Sequence, residues 1–165
     1  MSEIEENRQL IVRPANEDDV TMLMQFVQAI ADFENLGNHV VSTEASLREN
    51  LFGKKPYAEA VIAELGNEPV GFALFFHNFS SFLGRPGLYI EDLYVCPQYR
   101  NSGVGKALMK HCAQVAIERD CVRMDWNALD WNPARKFYER LGAQAHTEWI
   151  MYRLEGMDLF ELADE

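Results

Sequence analysis

A mixed α/β domain, with antiparallel strands early and a single β-α-β crossover late, is the fold that the sequence predicts. Three observations carry that expectation. Apolar residues switch between short strand-like runs and stripes of 3.6-residue period. A hairpin signal, Gly66-Asn67-Glu68-Pro69, joins two of the runs. A strand, a glycine-containing loop, a helix and a second strand then follow one another between 88 and 127. With 165 residues, 48% apolar and 12% aromatic, the chain suits one domain, 1–165, around one core, with a disordered stretch expected over 1–8.

Each element has a local reason. Residues 9–13 read as a strand ended by Pro14. Asn16 can cap a helix whose first turn, Glu17, Asp18 and Asp19, suits the helix dipole. Val20, Leu23, Met24, Val27, Ile30 and Ala31 form its apolar face, and Gly37 can close it. A short helix over 44–51 follows, with Leu47 and Leu51 on one face and Gly53 after it. Strands over 57–64 and 70–76 flank the hairpin signal, 77–87 is a turn-rich connection, and 88–95 is the next strand. A helix over 105–119 and a strand over 121–127 complete the crossover. Asn132-Pro133 then opens a helix as cap and first-turn proline, Gly142 closes it, and a last strand over 146–153 leads into an acidic tail.

Composition excludes several classes of function. No apolar run approaches the roughly 20 residues that span a bilayer, and the acidic start resembles neither a signal nor a transit peptide, so a cytoplasmic location is expected. The net charge of −11 argues against nucleic acid and anionic membrane as partners. It suits a positively charged small molecule, although acidic chains are also acidic for solubility alone. Three cysteines, none in Cys-x-x-Cys spacing, suggest small core residues rather than disulfides. Four scattered histidines, without helical pairing or neighbouring cysteines, suggest no metal site.

The most specific stretch is Arg100-Asn101-Ser102-Gly103-Val104-Gly105-Lys106, between a strand and a helix. Glycines allow backbone N–H groups to converge, and a starting helix adds its positive end, so the loop is suited to a pyrophosphate. It is not a phosphate loop of nucleotide hydrolases, because Val104 alone separates the glycines and Ala107 follows Lys106. Nor is it a dinucleotide fingerprint. Leu108 stands at the third glycine position, and one crossover cannot make the repeated half-fold, even with Asp125 near the ribose-binding position. A structural loop opening a core helix remains the plain alternative.

The same stretch matches the Arg/Gln-x-x-Gly-x-Gly/Ala signature of GNAT acetyltransferases, and Asn132-Pro133-Ala134 through Tyr138 to Gly142-Ala143 resembles that family's later segment. From about 11 to 152 the chain resembles the spermidine/spermine (diamine) acetyltransferase subgroup, through Arg13-Pro14-Ala15, Phe33-Glu34, Gly71-Phe72-Ala73 and Tyr89-Ile90-Glu91-Asp92-Leu93-Tyr94-Val95. Leu129-Asp130-Trp131-Asn132 and Leu141-Gly142-Ala143-Gln144 look more like its thialysine acetyltransferase branch. The resemblance implies the GNAT fold: a central, twisted, mostly antiparallel sheet, splayed at a parallel strand pair and flanked by about four helices. It also implies acetyl-CoA as cofactor, a homodimer, and transfer of acetyl to the primary amine of a small cationic molecule.

That reaction defines the residues to seek. An amine with a pKa near 10.4 arrives protonated at neutral pH, so the site must accept a proton, stabilise an oxyanion and protonate a thiolate. By the resemblance, Glu91 is the proton acceptor, acting through water, and Tyr138 the general acid. Read without it, Glu91 is a solvated strand carboxylate in an unusually apolar run, and Tyr138 a core aromatic. The resemblance further assigns pantetheine to the backbone of Leu93, Tyr94 and Val95, and the pyrophosphate to Arg100, Asn101, Ser102, Gly103, Val104, Gly105 and Lys106. Asn132 and Arg135 take other polar groups of the cofactor, and Phe33, Glu34, Asp92, Asp125, Trp126 and Glu148 line the amine pocket. The acidic residue that polyamine enzymes carry after the third strand falls near Ser80, which points to a thialysine-like or lysine-like amine. A non-catalytic acyl-CoA-binding module and acetylation of a protein amine are the competing readings.

Overall fold

The computed structural model describes residues 8–164, and divides at Asn127/Ala128 into two compact units. The N-terminal stretch expected to be disordered lies, over 1–7, outside the described residues; Arg8 pairs with Glu68 at 3.0 Å.

The first unit holds one five-stranded sheet in the order β1-β2-β3-β4-β5. Its strands are β1 (Leu10–Pro14), β2 (Glu59–Leu65), β3 (Glu68–Ser80), β4 (Arg85–Val95) and β5 (Met124–Trp126). The first three pairings are antiparallel and β4–β5 is parallel. The predicted hairpin is a two-residue turn. Gly66 and Asn67 both take positive φ, 58° and 69°, as the twist-matched turn requires, and Glu68 already pairs with Leu65. The turn-rich connection expected over 77–87 is instead mostly sheet. Asn78 pairs with Gly87 and Phe79 with Pro86, leaving only 81–84 as turn. Asn, Gly and Pro disfavour strands individually, but here they sit opposite one another in a long hairpin.

Helix α1 (Val20–Phe33) and helix α2 (Glu44–Phe52) cover one face of the sheet. Leu23, Phe26 and Leu51 pack there on Ala60, Ile62 and Phe72. Helix α3 (Val104–Glu118) is the crossover between β4 and β5, and buries Val104, Leu108, Met109, Cys112 and Ala116. Asn16 caps not α1 itself but a 3-10 turn over Glu17–Asp19 that runs into it. Nor does Gly37 close α1. Asn35, at φ 60°, is the left-handed residue, with Asn35 N–H bonded to Asp32 and Leu36 N–H to Ala31, a Schellman ending. Asp120, at φ 56°, ends α3 in the same way.

The second unit contains α4 (Arg135–Arg140) and α5 (Met157–Asp164). Asn132 accepts a bond from Ala134 N–H at 2.9 Å, and Gly142, at φ 93°, closes α4 as expected. The strand expected over 146–153 is not formed among the described residues; Trp149, Ile150, Met151 and Tyr152 are all exposed. Four consecutive apolar residues leave no alternation to select one buried face. The stretch read as an acidic tail is α5.

Candidate active site

The loop after β4 is shaped to receive an anion. A 3-10 turn over Pro97–Tyr99 follows the strand, and Asn101 and Gly103 then take positive φ, 63° and 92°. Gly103 is the N-cap of α3, and no side chain caps the helix, so the N–H groups of the first turn keep their donor capacity. A Cβ on Gly103 would meet nothing within 4 Å, so glycine serves the backbone angle there and the space is open. The exposed Lys106 adds charge to the helix's positive end. Arg100 behaves differently. Its Nε donates to the Val95 carbonyl at 3.0 Å, and its guanidinium lies 4.9 Å from the Phe33 ring centroid and 5.9 Å from that of Tyr94.

Strand β4 carries a bulge where chemistry was expected. Leu74 pairs with Asp92 and Phe75 with Ile90, so Glu91 is the extra, unpaired residue, and its side chain is exposed. Pairing with β5 ends one step earlier, at Ile90 opposite Trp126. From Glu91 to Val95, therefore, one edge of β4 has no strand partner among the described residues. Backbone groups of Leu93, Tyr94 and Val95 that turn to this edge are the ones a pantetheine amide could engage.

Asp92 and Tyr94 lie on the α1 face, opposite Leu74 and Phe72. The Tyr94 ring packs 5.7 Å from that of Phe26, and Phe33 and Glu34 end the helix above. Burial pushes the Glu34 carboxyl upward. Asp92 is pushed up to about 6, by burial first and then by the charges of Glu91 and Glu34. Among the described residues none of the three is ion-paired with Lys or Arg. The arrangement is a set of neighbouring carboxylates to which a bound cation would be favourable.

The remaining candidates divide by position. Asp125 is already engaged, with Arg123 Nε at 2.7 Å and Asn78 Nδ2 donating at 3.1 Å. It shares a face with its partner Tyr89, whereas Trp126 turns to the other face with Ile90. Asn132 and Arg135 belong to the second unit, where they line a shallow concavity with Trp131 and Lys136. Arg135 there donates to the Asp130 carbonyl at 2.7 Å. Tyr138 is half-buried on α4, its ring 5.3 Å from that of Phe137. Glu148 is exposed, held low by its own backbone N–H and by His146 at 3.2 Å. The cysteines are free thiols, with Cys112 buried and pushed up to about 12. Among the described residues no His, Cys, Asp and Glu cluster could hold a metal, and no helix is long and apolar enough to cross a membrane. The sequence reading missed Asn78, Gly87 and Arg123, whose meeting depends on strand register and leaves no local signal.

Comparison with known proteins accords with this geometry. The acetyltransferase (GNAT) family profile matches residues 23–143. A thialysine N-epsilon-acetyltransferase of Mus musculus is 37% identical, over 92% of this chain and 96% of its own length. An L-ornithine N5-acetyltransferase of Arabidopsis thaliana is 29% identical, over 88% and 84%. Among solved structures, an integron cassette protein from the mobile metagenome of V. cholerae superposes with a TM-score of 0.78 at 28% identity, covering 96% of this chain and all of that one.

Proposed function

Because this chain belongs to the acetyltransferase (GNAT) family and is an N-acetyltransferase, we propose that it uses acetyl-CoA to acetylate the primary amine of a small cationic molecule. The observation that carries this reading is the free edge of β4 leading into the uncapped N-terminus of α3. Within the first unit the residues present fit the cofactor: an open positive-φ loop, a helix N-terminus and Lys106 for the pyrophosphate, and a strand edge for the pantetheine. Asn132 and Arg135, in the second unit, are the candidates for its other polar groups. When bound, acetyl-CoA supplies the acetyl group as a thioester.

The chain's own residues supply the rest. Glu91, raised out of the ladder by its bulge, receives the ammonium proton through water. Asp92 and Glu34 hold the cation, with Phe33 and Glu148 as further candidates; Trp126, expected to line the pocket, is turned to the other face with Ile90 and is left out of it. Tyr138 protonates the thiolate as the amide bond forms and the thioester bond breaks. Ser80 supports an amino-acid-like amine over a polyamine: it is buried, and its Oγ accepts from Leu83 N–H in a turn, so no carboxylate stands there for a distant second ammonium. The exposed apolar side chains of Trp149, Ile150, Tyr152 and Phe160 support a homodimer.

The test is release of free coenzyme A with thialysine, lysine, ornithine, spermidine and a basic peptide. Thialysine or lysine is expected to exceed spermidine by at least about tenfold, the scale of one missing charge contact. Preference for the peptide, or release no faster than a blank without amine, would overturn the proposal.

A further inference from the structure

Asn78, on β3, and Asp125, on β5, are separated by the whole width of β4, yet they are hydrogen-bonded at 3.1 Å. Two strand spacings amount to about 10 Å, more than either side chain spans across an occupied strand. The crossing is possible because Gly87 lies between them. Gly87 is the direct partner of Asn78, and a Cβ there would sit 2.3 Å from Asn78 Oδ1 and 3.3 Å from Arg123 Cγ. Asn78 and Arg123 thus fill a bare spot on β4 from its two sides and meet at the Asp125 carboxylate. Asn78 Oδ1 is buried without a partner of its own, so the side chain is committed to this one direction. The meeting point is Asp125, opposite Tyr89, one pair before β4 and β5 part at Ile90 and Trp126.

We propose that Asn78, Gly87, Asp125 and Arg123 form a clip that fixes where the sheet opens, and that Asp125 is a positioning residue of the cofactor cleft, not a ligand of the amine. The parallel pairing it secures is only three residue pairs long, Leu88–Ile90 with Met124–Trp126, so the backbone ladder alone holds β5 weakly. The clip adds two charge-assisted contacts at the foot of the cleft. Because both acceptor bonds of the known geometry fall on Asp125 Oδ2, the carboxylate's charge is already matched by Arg123. Its influence on transfer therefore runs through the distance between β5 and the pantetheine edge of β4.

The inference rests on the acetyltransferase reading, and the test separates the two. Wild-type coenzyme A release is the control for the reading, and the clip is judged on variants relative to it. Asn78→Ala, Gly87→Ala and Asp125→Ala are each expected to raise the acetyl-CoA dissociation constant about three- to tenfold in calorimetry, as loss of a charged hydrogen bond does. The amine KM at saturating acetyl-CoA is expected to stay within about twofold, the scale of a distant change. Adding Gly87→Ala to Asn78→Ala should leave the dissociation constant no higher than in Asn78→Ala alone, because the added methyl then has room and the bond to Asp125 is already lost. A general loss of packing would make that double variant worse than either single, and would overturn the clip. So would an amine KM raised tenfold or more in Asp125→Asn, the mark of a direct amine ligand.

Discussion

Two clusters of charge on the same sheet are built in opposite ways. At its start, Arg13 stands between two carboxylates, donating to Asp19 at 2.8 and 2.9 Å and to Glu64 at 2.8 Å. Hydrogen bonds from Arg13 hold the Asp19 carboxyl below its usual range, and those of Asp19 and Glu64 raise the Arg13 guanidinium further. Near the end of β4, Glu34, Glu91 and Asp92 lie together with no basic ion-pair partner among the described residues, and the Asp92 carboxyl moves the other way. The first cluster is complete and serves stability. The second carries a burial cost that no ion pair among the described residues offsets, which under the proposed function is the charge an amine would bring.

The sharpest way to break this comparison is at Asp92. Asp92→Asn is expected to lower kcat/KM for the amine about 100-fold, the effect of removing one partner of a desolvated charge pair. It should do so while stabilising the free protein at pH 8. Native Asp92 holds its proton up to about 6, against about 3.9 unfolded. The native state thus binds more protons between those values, and stability falls as pH rises through that window. Urea unfolding should show the variant's advantage, at most about 3 kcal/mol, at pH 8 and its disappearance at pH 4. An Asp92→Asn protein less stable at pH 8 would place Asp92 with the completed cluster instead.

The opposite substitution gives the next effect. Arg13→Met should cost about 2 kcal/mol of stability at pH 7, because two carboxylates lose their partner. It should change kcat/KM less than about twofold, being distant from the transfer. The Asp19 contribution is present above its unfolded value and lost as pH falls through its lowered folded value. The stability gap between wild type and Arg13→Met should therefore close below about pH 3.

The smallest effect is a proton count. Amine binding brings a positive charge to Asp92 and lowers its pKa. Calorimetry at pH 6 in two buffers of different ionisation heat should then record release of up to about half a proton per amine bound. No release at pH 6 would remove Asp92 from the pocket.

Legibility in the sequence followed the range of the interactions. Local rules found the helix stripes, the Gly142 ending, the Gly66-Asn67 turn and the Gly103 loop, since each depends on a few adjacent residues. They misplaced the end of α1, because Asn35 took the left-handed angle usually given to glycine. They read 77–87 as connection, because what makes it sheet is the pairing of Asn78 with Gly87 across a turn. The bulge at Glu91 is likewise a property of two strands counted against each other, and was invisible in either alone. The expected strand over 146–153 had apolar content but no alternation and no partner in the chain's own order.

That order carries a last consequence. In the first unit each strand lies beside the one made just before it, β1 through β5 in sequence. A ribosome therefore delivers every strand to an edge that already exists, and the first four can zip together by local hairpin closure. Only β5 must wait for a helix to be made and folded back. The cleft is accordingly the last part of that sheet to be assembled, and the carboxylates beside it are brought together before the strand that bounds it arrives.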